Sequence, residues 1–321
     1  MRASARSASP LQPTGNLEGG LEVGVGCRRL RLTNLDKSMY PIAGMAKRQV
    51  IEYYARVAET MLPHVKGRPL TLKRFPDGIG GAYFFEKQCP RYRPDWVSTV
   101  PIWTEQYGTH YEYCVVTEPA TLVWLANLAS LEVHPALARA EDLSRPTGVA
   151  FDVDPGYPAG LLESCHVARW LHGLFERLGL RSFVKSSGSK GLHVHIPLNI
   201  TDVGYSQTKA FARQVAQSLQ QRFPELVLAT VSRARRAGKV LIDWGQNDRH
   251  KTIVAPYSLR ANDPPTVSVP LRWREVDDAV EARDSDRLVL SPSEMLERLE
   301  REGDLFAQSL DIRQTLPQLS G

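Results

Sequence analysis

Asp152 and Asp154 stand one valine apart in GVAFDVDPG, an apolar run that turns at once on Pro155-Gly156. Side chains two apart on a strand point to the same face, so these carboxylates sit ~7 Å apart at their backbones and repel when both are ionised. A cation between them relieves that repulsion. A third carboxylate, Asp243, closes the apolar run KVLIDW. If the two runs lie side by side, three oxygen donors share one sheet edge. Hard divalent cations take such ligands, and two ions ~3.5 to 4 Å apart hold the attacking and leaving oxygens of a phosphoryl displacement. The simpler alternative is that acids at strand ends only cap turns.

Two further stretches add cations. In KSSGSKGLHVHIP, Ser187, Gly188, Ser189 and Gly191 read as a flexible turn whose backbone N–H groups can face an anion, with Lys190 as a point charge. The Walker pattern GxxxxGK[ST] is absent. His193 and His195 alternate onto one strand face, but no cysteine or third histidine is placed to complete a zinc site, and a phosphate or sugar contact suits them better. In RRAGKVLIDWGQNDRHKTIVAPYSLRA, Asp243 is surrounded by Arg236, Lys239, Arg249, Lys251 and Arg260. Runs of charge usually mark solvated faces, yet here they interleave with apolar strands, as on a surface that meets a substrate.

The elements that must position these residues show in the periodicity. TGVAFDVDPG, SFVKSSGSKGLHVHIPL and KVLIDW supply strands, GLLESCHVARWLHGLFERLGL and YSQTKAFARQVAQSLQQRF supply helices, and their order is strand-helix-strand-strand-helix-strand. That order predicts an α+β fold with a split βαβ, RRM-like sheet carrying helices on one face. Upstream, CRRLRLTN reads as a strand, AKRQVIEYYARVAETMLPHV as an amphipathic helix stopping before Pro63, and TLVWLANLASLEVH as a second, buried helix. Ser291-Pro292-Ser293-Glu294 has the capping-box form and predicts a closing helix. Residues 1–21, rich in Ser, Pro, Gly and Arg, read as a disordered tail, and residues 22–321 as one domain of two packed lobes: an N-terminal module to about 145, a catalytic module over about 146–280 and a helical segment beyond.

Composition sets outer limits. The 321 residues carry 40 basic and 35 acidic side chains, a net charge of +5 that leans toward polyanionic partners without deciding for them. No apolar run approaches the ~20 residues of a membrane helix, and no secretory segment opens the chain. Cys27, Cys89, Cys114 and Cys165 form no CxxC pair, so neither a zinc ribbon nor a disulfide framework is expected, and a reducing cytoplasm fits.

Taken together, FDVDPG, SSGSKGLHVHIPL and IDWGQNDRHKTIVAPYSLRA resemble the archaeo-eukaryotic primase superfamily, and within it the polymerase domain of bacterial DNA ligase D. LTNLDKSMYP, LTLKRFPDG, YFFEKQ, LANLASLEVHP and VSVPLRWREV extend the resemblance in chain order over about residues 22–277. It implies a template-directed nucleotidyl transferase that fills or extends broken DNA ends in non-homologous end joining, favouring ribonucleotides and manganese (or magnesium) as two divalent ions. Asp152, Asp154 and Asp243 match the metal ligands. Ser187, Lys190 and His193 match a triphosphate motif, with Arg236, Arg260 and Lys73 as further cations around the nucleotide. His134 matches a histidine near the nucleotide, and Phe84 and Phe85 an aromatic pair that stacks on bases. Asn34, Lys37 and Lys47 match a pocket for the 5′-phosphate across a gap. Implied partners are double-stranded DNA ends and gapped DNA, NTP or dNTP, Ku and an ATP-dependent DNA ligase, with no membrane. The lack of a cysteine pair removes the zinc module of many cellular primases, and His250 stands where a glycine is common, outside the expected ligand set. A non-catalytic end-bridging module, a metal-dependent nuclease and a DxD glycosyltransferase remain the competing readings.

Overall fold

The structure is a computed structural model that describes residues 10–17, 20–230 and 235–318. Six helices run through it: α1 Lys47–Val65, α2 Pro119–Asn127, α3 Leu161–Arg177, α4 Tyr205–Arg222, α5 Trp273–Ala282 and α6 Pro292–Glu302. The alternation around Asp152 forms the strand Gly148–Pro155, in which Val149, Phe151 and Val153 are fully buried on one face while Asp152 and Asp154 line the other. Phe151 meets Phe175 of α3 at 5.3 Å between ring centroids, and Trp170 of α3 stacks on Phe223 just past α4 at 3.6 Å. Both helices therefore cover the apolar face. Each large side chain buried there contributes about 1.5 to 3 kcal/mol, which fixes the register and leaves the carboxylates on the opposite side.

The sheet has six strands in the order Val227–Leu228, Val240–Asp243, Gly148–Pro155, Leu192–Pro197, Phe183–Ser186 and Pro270–Leu271. The middle four run antiparallel in the order fourth, first, third, second along the chain, as the split βαβ reading predicts. Two short strands, at its two edges, were not foreseen. Where the Asp243 strand ends, a side chain continues the ladder. Fully buried Asn247 accepts from the Ala150 N–H at 2.9 Å and donates to the Ala150 carbonyl at 2.7 Å.

A second sheet lies over the carboxylate face. Its strands, Ser130–Pro135, Leu70–Arg74 and Phe84–Glu86, are antiparallel, with Glu132 opposite Lys73 and Lys73 opposite Phe85. The Ile253 and Ala255 N–H groups donate to Pro135 and Val133 carbonyls of its outer strand, tying the chain after Asp243 to it.

Several sequence expectations need correction. α1 does not stop before Pro63 but runs through it to Val65. Proline leaves the Glu59 carbonyl without its usual donor, but Glu59 and Pro63 are both exposed, so water serves that carbonyl while buried His64 and Val65 hold the last turn. TLVWLANLASLEVH is not one helix. α2 ends at Asn127, Ala129 adopts φ of 59°, and Ser130–Pro135 is a strand whose polar Ser130, Glu132 and His134 alternate with Leu131, Val133 and Pro135 over only six residues. Within the expected disordered tail, Gln12–Leu17 pairs with Gly20–Val25, and that strand pairs with Arg28–Thr33 in a three-stranded sheet. Residues 1–9, 18 and 19 of the tail, and residues 231–234 of the basic run before Asp243, lie outside the described residues. Cys89 and Cys114, expected free, are disulfide-bonded, 25 residues apart. The hairpin Ser98–Thr104 with Thr109–Val115 folds Cys114 back onto Cys89, whose N–H donates to the Glu112 carbonyl. The capping box is present at α6, where the Ser291 N–H donates to Glu294 Oε2 at 2.8 Å.

Replacing Asn247 with alanine leaves both backbone groups of Ala150 unpaired beside the Asp152 face. We expect Asn247→Ala to lower unfolding free energy by about 2 to 4 kcal/mol, read as a lower denaturant midpoint at unchanged slope.

Candidate active site

The register puts Asp152 opposite Asp243 on one side and His193 on the other, with Asp154 on the same face. The carboxylates are neighbours, yet each has different partners. His193 Nε2 lies 3.3 Å from Asp152 Oδ1, the Arg236 guanidinium is on Asp154, and Asp243 accepts from the Gly245 N–H at 2.9 Å and Gln246 Nε2 at 3.0 Å. Among the described residues, no three His, Cys, Asp or Glu side chains are gathered into a ready-made metal centre. The donor set still fits hard divalent ions. Burial pushes Asp152 up to about 6, against the pull of Lys185, Arg260 and Arg236, and a divalent cation competes for that proton.

Beside this face opens a cleft of about 660 Å³. It brings together Asp152, Asp154, Ser187, Lys190, His193 and Arg260 with His134 and Phe85 from the overlying sheet. Asp243, Arg236, Lys73 and Phe84 are not in its wall. The Ser/Gly turn is pinned rather than flexible: Ser187 Oγ accepts from the Ser189 and Gly191 N–H groups at 3.2 Å each, and the Ser187 N–H donates to the Gly191 carbonyl. Those three N–H groups are engaged within the turn, so they do not form the open anion cradle the sequence suggests. Glycine is required at 188, where φ is 68° and a Cβ would collide with the Val267 carbonyl, and at 191, where it would collide with the Val153 carbonyl of the Asp152 strand. Arg260 NH1 donates to the Ser187 carbonyl at 2.9 Å, joining the turn to the next cation.

The organiser of the overlying sheet is a residue the sequence reading passed over. Glu132 is 2% exposed; it accepts from His134 Nε2 at 2.9 Å and the Ala261 N–H at 3.2 Å, and lies 3.5 Å from both Lys73 Nζ and Arg260 Nε. Three of the expected nucleotide-contacting side chains thus converge on one carboxylate. Burial raises its pKa, but the His134 hydrogen bond and the charges of Arg260 and Lys73 outweigh that and hold it down at about 2. Burial lowers His134, so the imidazole is a neutral donor to Glu132. Lys73 also lies over the Tyr83 ring at 4.4 Å.

Phe84 and Phe85 are 44% and 57% exposed, so neither joins the core although successive strand residues face opposite ways. Phe85 looks into the cleft, and both border a second hollow of about 570 Å³ with Lys87, Arg91, Tyr107 and Tyr111, the two tyrosines stacked at 5.4 Å. Asn34, Lys37 and Lys47 sit together at the start of α1. Asn34 has φ of 53°, its carbonyl accepts from the Lys37 N–H, and the Lys37 carbonyl accepts from the Lys47 N–H at 2.8 Å. Lys37 Nζ reaches the Pro76 carbonyl and Asp77, and Lys47 Nζ the Thr33 carbonyl at 2.7 Å. Burial, then Lys37 and Arg74, lowers Lys47 to about 8.

Residues 46–306 match the family described as LigD, primase-polymerase domain. The chain belongs to that family. It is 42% identical over 281 residues to the multifunctional non-homologous end joining protein LigD of Mycolicibacterium smegmatis, covering 87% of this chain and 36% of that protein. It is 32% identical to the bifunctional LigD of Bacillus subtilis over 252 residues, 78% of this chain and 40% of that one. A solved structure, the polymerase domain from Mycobacterium tuberculosis ligase D in complex with DNA, superposes with a TM-score of 0.81 at 38% identity, covering 89% of this chain and 99% of that one. The chain thus spans little more than a third of the curated relatives' length. Its fold is the α+β fold of the LigD polymerase domain, and its activity class is nucleotidyl transfer.

Within this LigD polymerase fold the sequence missed Glu132, Lys185 and the cleft residues Thr71, Lys87 and Gln246, and it set aside His250, which lines the cleft. Glu132 and Lys185 had one available signal: a charge inside an otherwise apolar strand.

Glu132 makes a pH prediction. Its folded pKa of about 2 lies below the ordinary 4.5, so it stabilises the fold above pH ~4.5 by roughly 3 kcal/mol and loses that contribution as pH falls toward 2. The stability difference between wild type and Glu132→Gln should therefore be largest above pH ~4.5 and shrink below it in urea titrations at stepped pH. A constant difference would show that the ionised carboxylate is not what holds Lys73, His134 and Arg260.

Proposed function

We propose that this domain adds nucleotides to DNA 3′ ends under the direction of a template, filling or extending breaks in non-homologous end joining and favouring ribonucleotides. The observation that carries the reading is the cleft, where two carboxylates of a divalent-ion face share one wall with Ser187, Lys190, His193 and Arg260. Carboxylates suit hard cations and the neighbouring donors suit a triphosphate. The related polymerase domain solved with DNA supports DNA as the partner. No described helix is long and apolar enough to cross a membrane.

In this reading Asp152, Asp154 and Asp243 hold two divalent ions, manganese or magnesium. Such ions activate a primer 3′-hydroxyl and neutralise charge on the α-phosphate and departing pyrophosphate. Arg236 offsets Asp154 in the ion-free protein and turns to the triphosphate when nucleotide is present. Lys190 and Arg260 bind the triphosphate, Lys73 and His134 stand by the nucleotide on their shared Glu132, and Phe84 and Phe85 stack on bases, worth ~1 to 3 kcal/mol each. Asn34, Lys37 and Lys47 take the 5′-phosphate across a gap, through the two ammonium groups and the Asn34 side chain. The N-terminal module, about 22–145, then grips the far side of the gap while the module of about 146–280 does the chemistry. Ku and an ATP-dependent DNA ligase are the expected partners, in a bacterial cytoplasm.

Asp152→Ala and Asp154→Ala should each lower primer extension at least about a hundredfold while DNA affinity by gel shift stays within about twofold, because no phosphate-binding cation is removed. Wild-type extension by either variant would overturn the assignment of the carboxylate face.

The phosphate pocket has its own test. Wild type should bind 5′-phosphorylated gapped DNA about tenfold or more tightly than the 5′-hydroxyl form at fixed salt, since each charge-assisted hydrogen bond contributes ~1.5 to 3 kcal/mol. Lys37→Ala with Lys47→Ala should erase the difference while extension of simple primer-templates survives. Equal wild-type affinity for the two DNAs would remove the pocket.

A further inference from the structure

A separate cavity of about 100 Å³ lies where the end of α1, the strand Leu192–Pro197 and the turn Ala307–Leu310 meet. Val149, Ile196, Val254 and Phe306 give it an apolar lining, and no acid stands in its wall. Ile253 and Val254 line the cleft as well, so the two hollows share a wall. The ionisable side chains around the cavity are His64, His195 and Arg68. His64 Nε2 lies 2.8 Å from Asp304 Oδ2, and the Tyr257 hydroxyl donates to Asp304 Oδ1 at 2.6 Å, so that carboxylate, outside the wall, is already engaged.

Arg68 has no such partner. Its hydrogen bonds go to neutral oxygens: Nη1 to the Ala136 and Leu137 carbonyls at 3.2 and 2.5 Å, and Nη2 to Thr147 Oγ at 2.7 Å. Burial, then Arg139, lowers Arg68 to about 10, so it stays a cation at neutral pH. A charge withdrawn from water without a counter-ion is costly.

The same hydrogen bonds leave one edge of the guanidinium free. Thr147 Oγ donates to the Leu137 carbonyl at 3.1 Å, so the acceptors of Nη1 and Nη2 sit side by side across the outer end of the group. Nε–H and the second N–H of Nη2, which form the side edge, have no partner among the described residues. Two parallel N–H groups match the two oxygens of a carboxylate. A phosphate wants donors around all its oxygens, which an apolar lining does not supply. A carboxylate needs only the one edge and carries its hydrocarbon to the rest of the wall.

We infer that this cavity is a binding site for a small monocarboxylic acid, with its carboxylate on the side edge of Arg68 and its hydrocarbon body against Val149, Ile196 and Phe306. An apolar cavity of ~150 Å³ admits benzene, so about 100 Å³ suits an acid the size of propionate or butyrate. None of the residues assigned to the ions, the triphosphate or the 5′-phosphate stands in this wall.

The test uses the full chain with carbon-13 in its isoleucine methyl groups, and butyrate as the probe. Ile196 lines this cavity and not the cleft, and Ile196→Val identifies its resonance. Ile42, 81% exposed, is the control for surface binding. Butyrate should move the Ile196 methyl resonance saturably and leave Ile42 in place, while butyramide and inorganic phosphate should each bind about tenfold or more weakly. Arg68→Gln should weaken butyrate about tenfold or more. An Ile196 resonance that does not respond to butyrate overturns the inference. So does an equal response to butyramide, which would make the cavity merely apolar, or an equal response to phosphate, which would make it a general anion site. Those comparisons need only the wild type, so they decide even where Arg68→Gln does not fold. A folded Arg68→Gln that binds butyrate as wild type does would overturn the inference as well.

Discussion

A carboxylate in the wall of a cleft, under the pull of Lys185, Arg260 and Arg236, is the constraint on which the rest of the molecule depends. Asp152 is centred in the sheet, opposite His193 on one neighbour and Asp243 on the other. It can sit there because the alternate residues of its strand are sealed under α3 and α4, and a one-residue slip would bury the acids and expose Phe151. The helices that look remote from the chemistry therefore set it.

Two buried ionisable side chains flank that carboxylate at one remove. Glu132 gathers Lys73, His134 and Arg260 from the overlying sheet, while Lys185 backs His193 from beneath. Neither lines the cleft, and each is in contact with side chains that do. The ion-free arrangement is balanced within itself, with Arg236 on Asp154 and Gly245 and Gln246 on Asp243. In the proposed reading, divalent ions held by these carboxylates would take the place of those protein donors, which would couple ion binding to the freeing of Arg236.

The core of the fold and most of the cleft were legible in the sequence because they follow from period-two alternation and turn residues: Asp152 with Asp154, the Ser/Gly turn, and the closing strand at Asp243. The order of those elements sufficed for the split βαβ sheet. What stayed hidden has a separate physical cause in each case. The strand Ser130–Pro135 alternates Ser130, Glu132 and His134 with Leu131, Val133 and Pro135, but it is short and follows α2 after two residues, so it reads as more helix and conceals Glu132. The disulfide between Cys89 and Cys114 depends on a hairpin that no local spacing announces. Pro63 stays helical only because its turn faces water. The family resemblance found residues that pattern alone left undecided, notably Lys73, His134 and the two phenylalanines, but not the buried charges that orient them.

Incubation of end-labelled, gapped DNA with manganese, with and without nucleotides, tests the central claim most directly. The account predicts that the labelled strand lengthens only when both ion and nucleotide are present, in steps set by the template, and more readily with ribonucleotides. Shortening of the strand with metal alone would make the carboxylate face a nuclease, and an unchanged strand under all conditions would leave the cleft without the transfer chemistry ascribed to it.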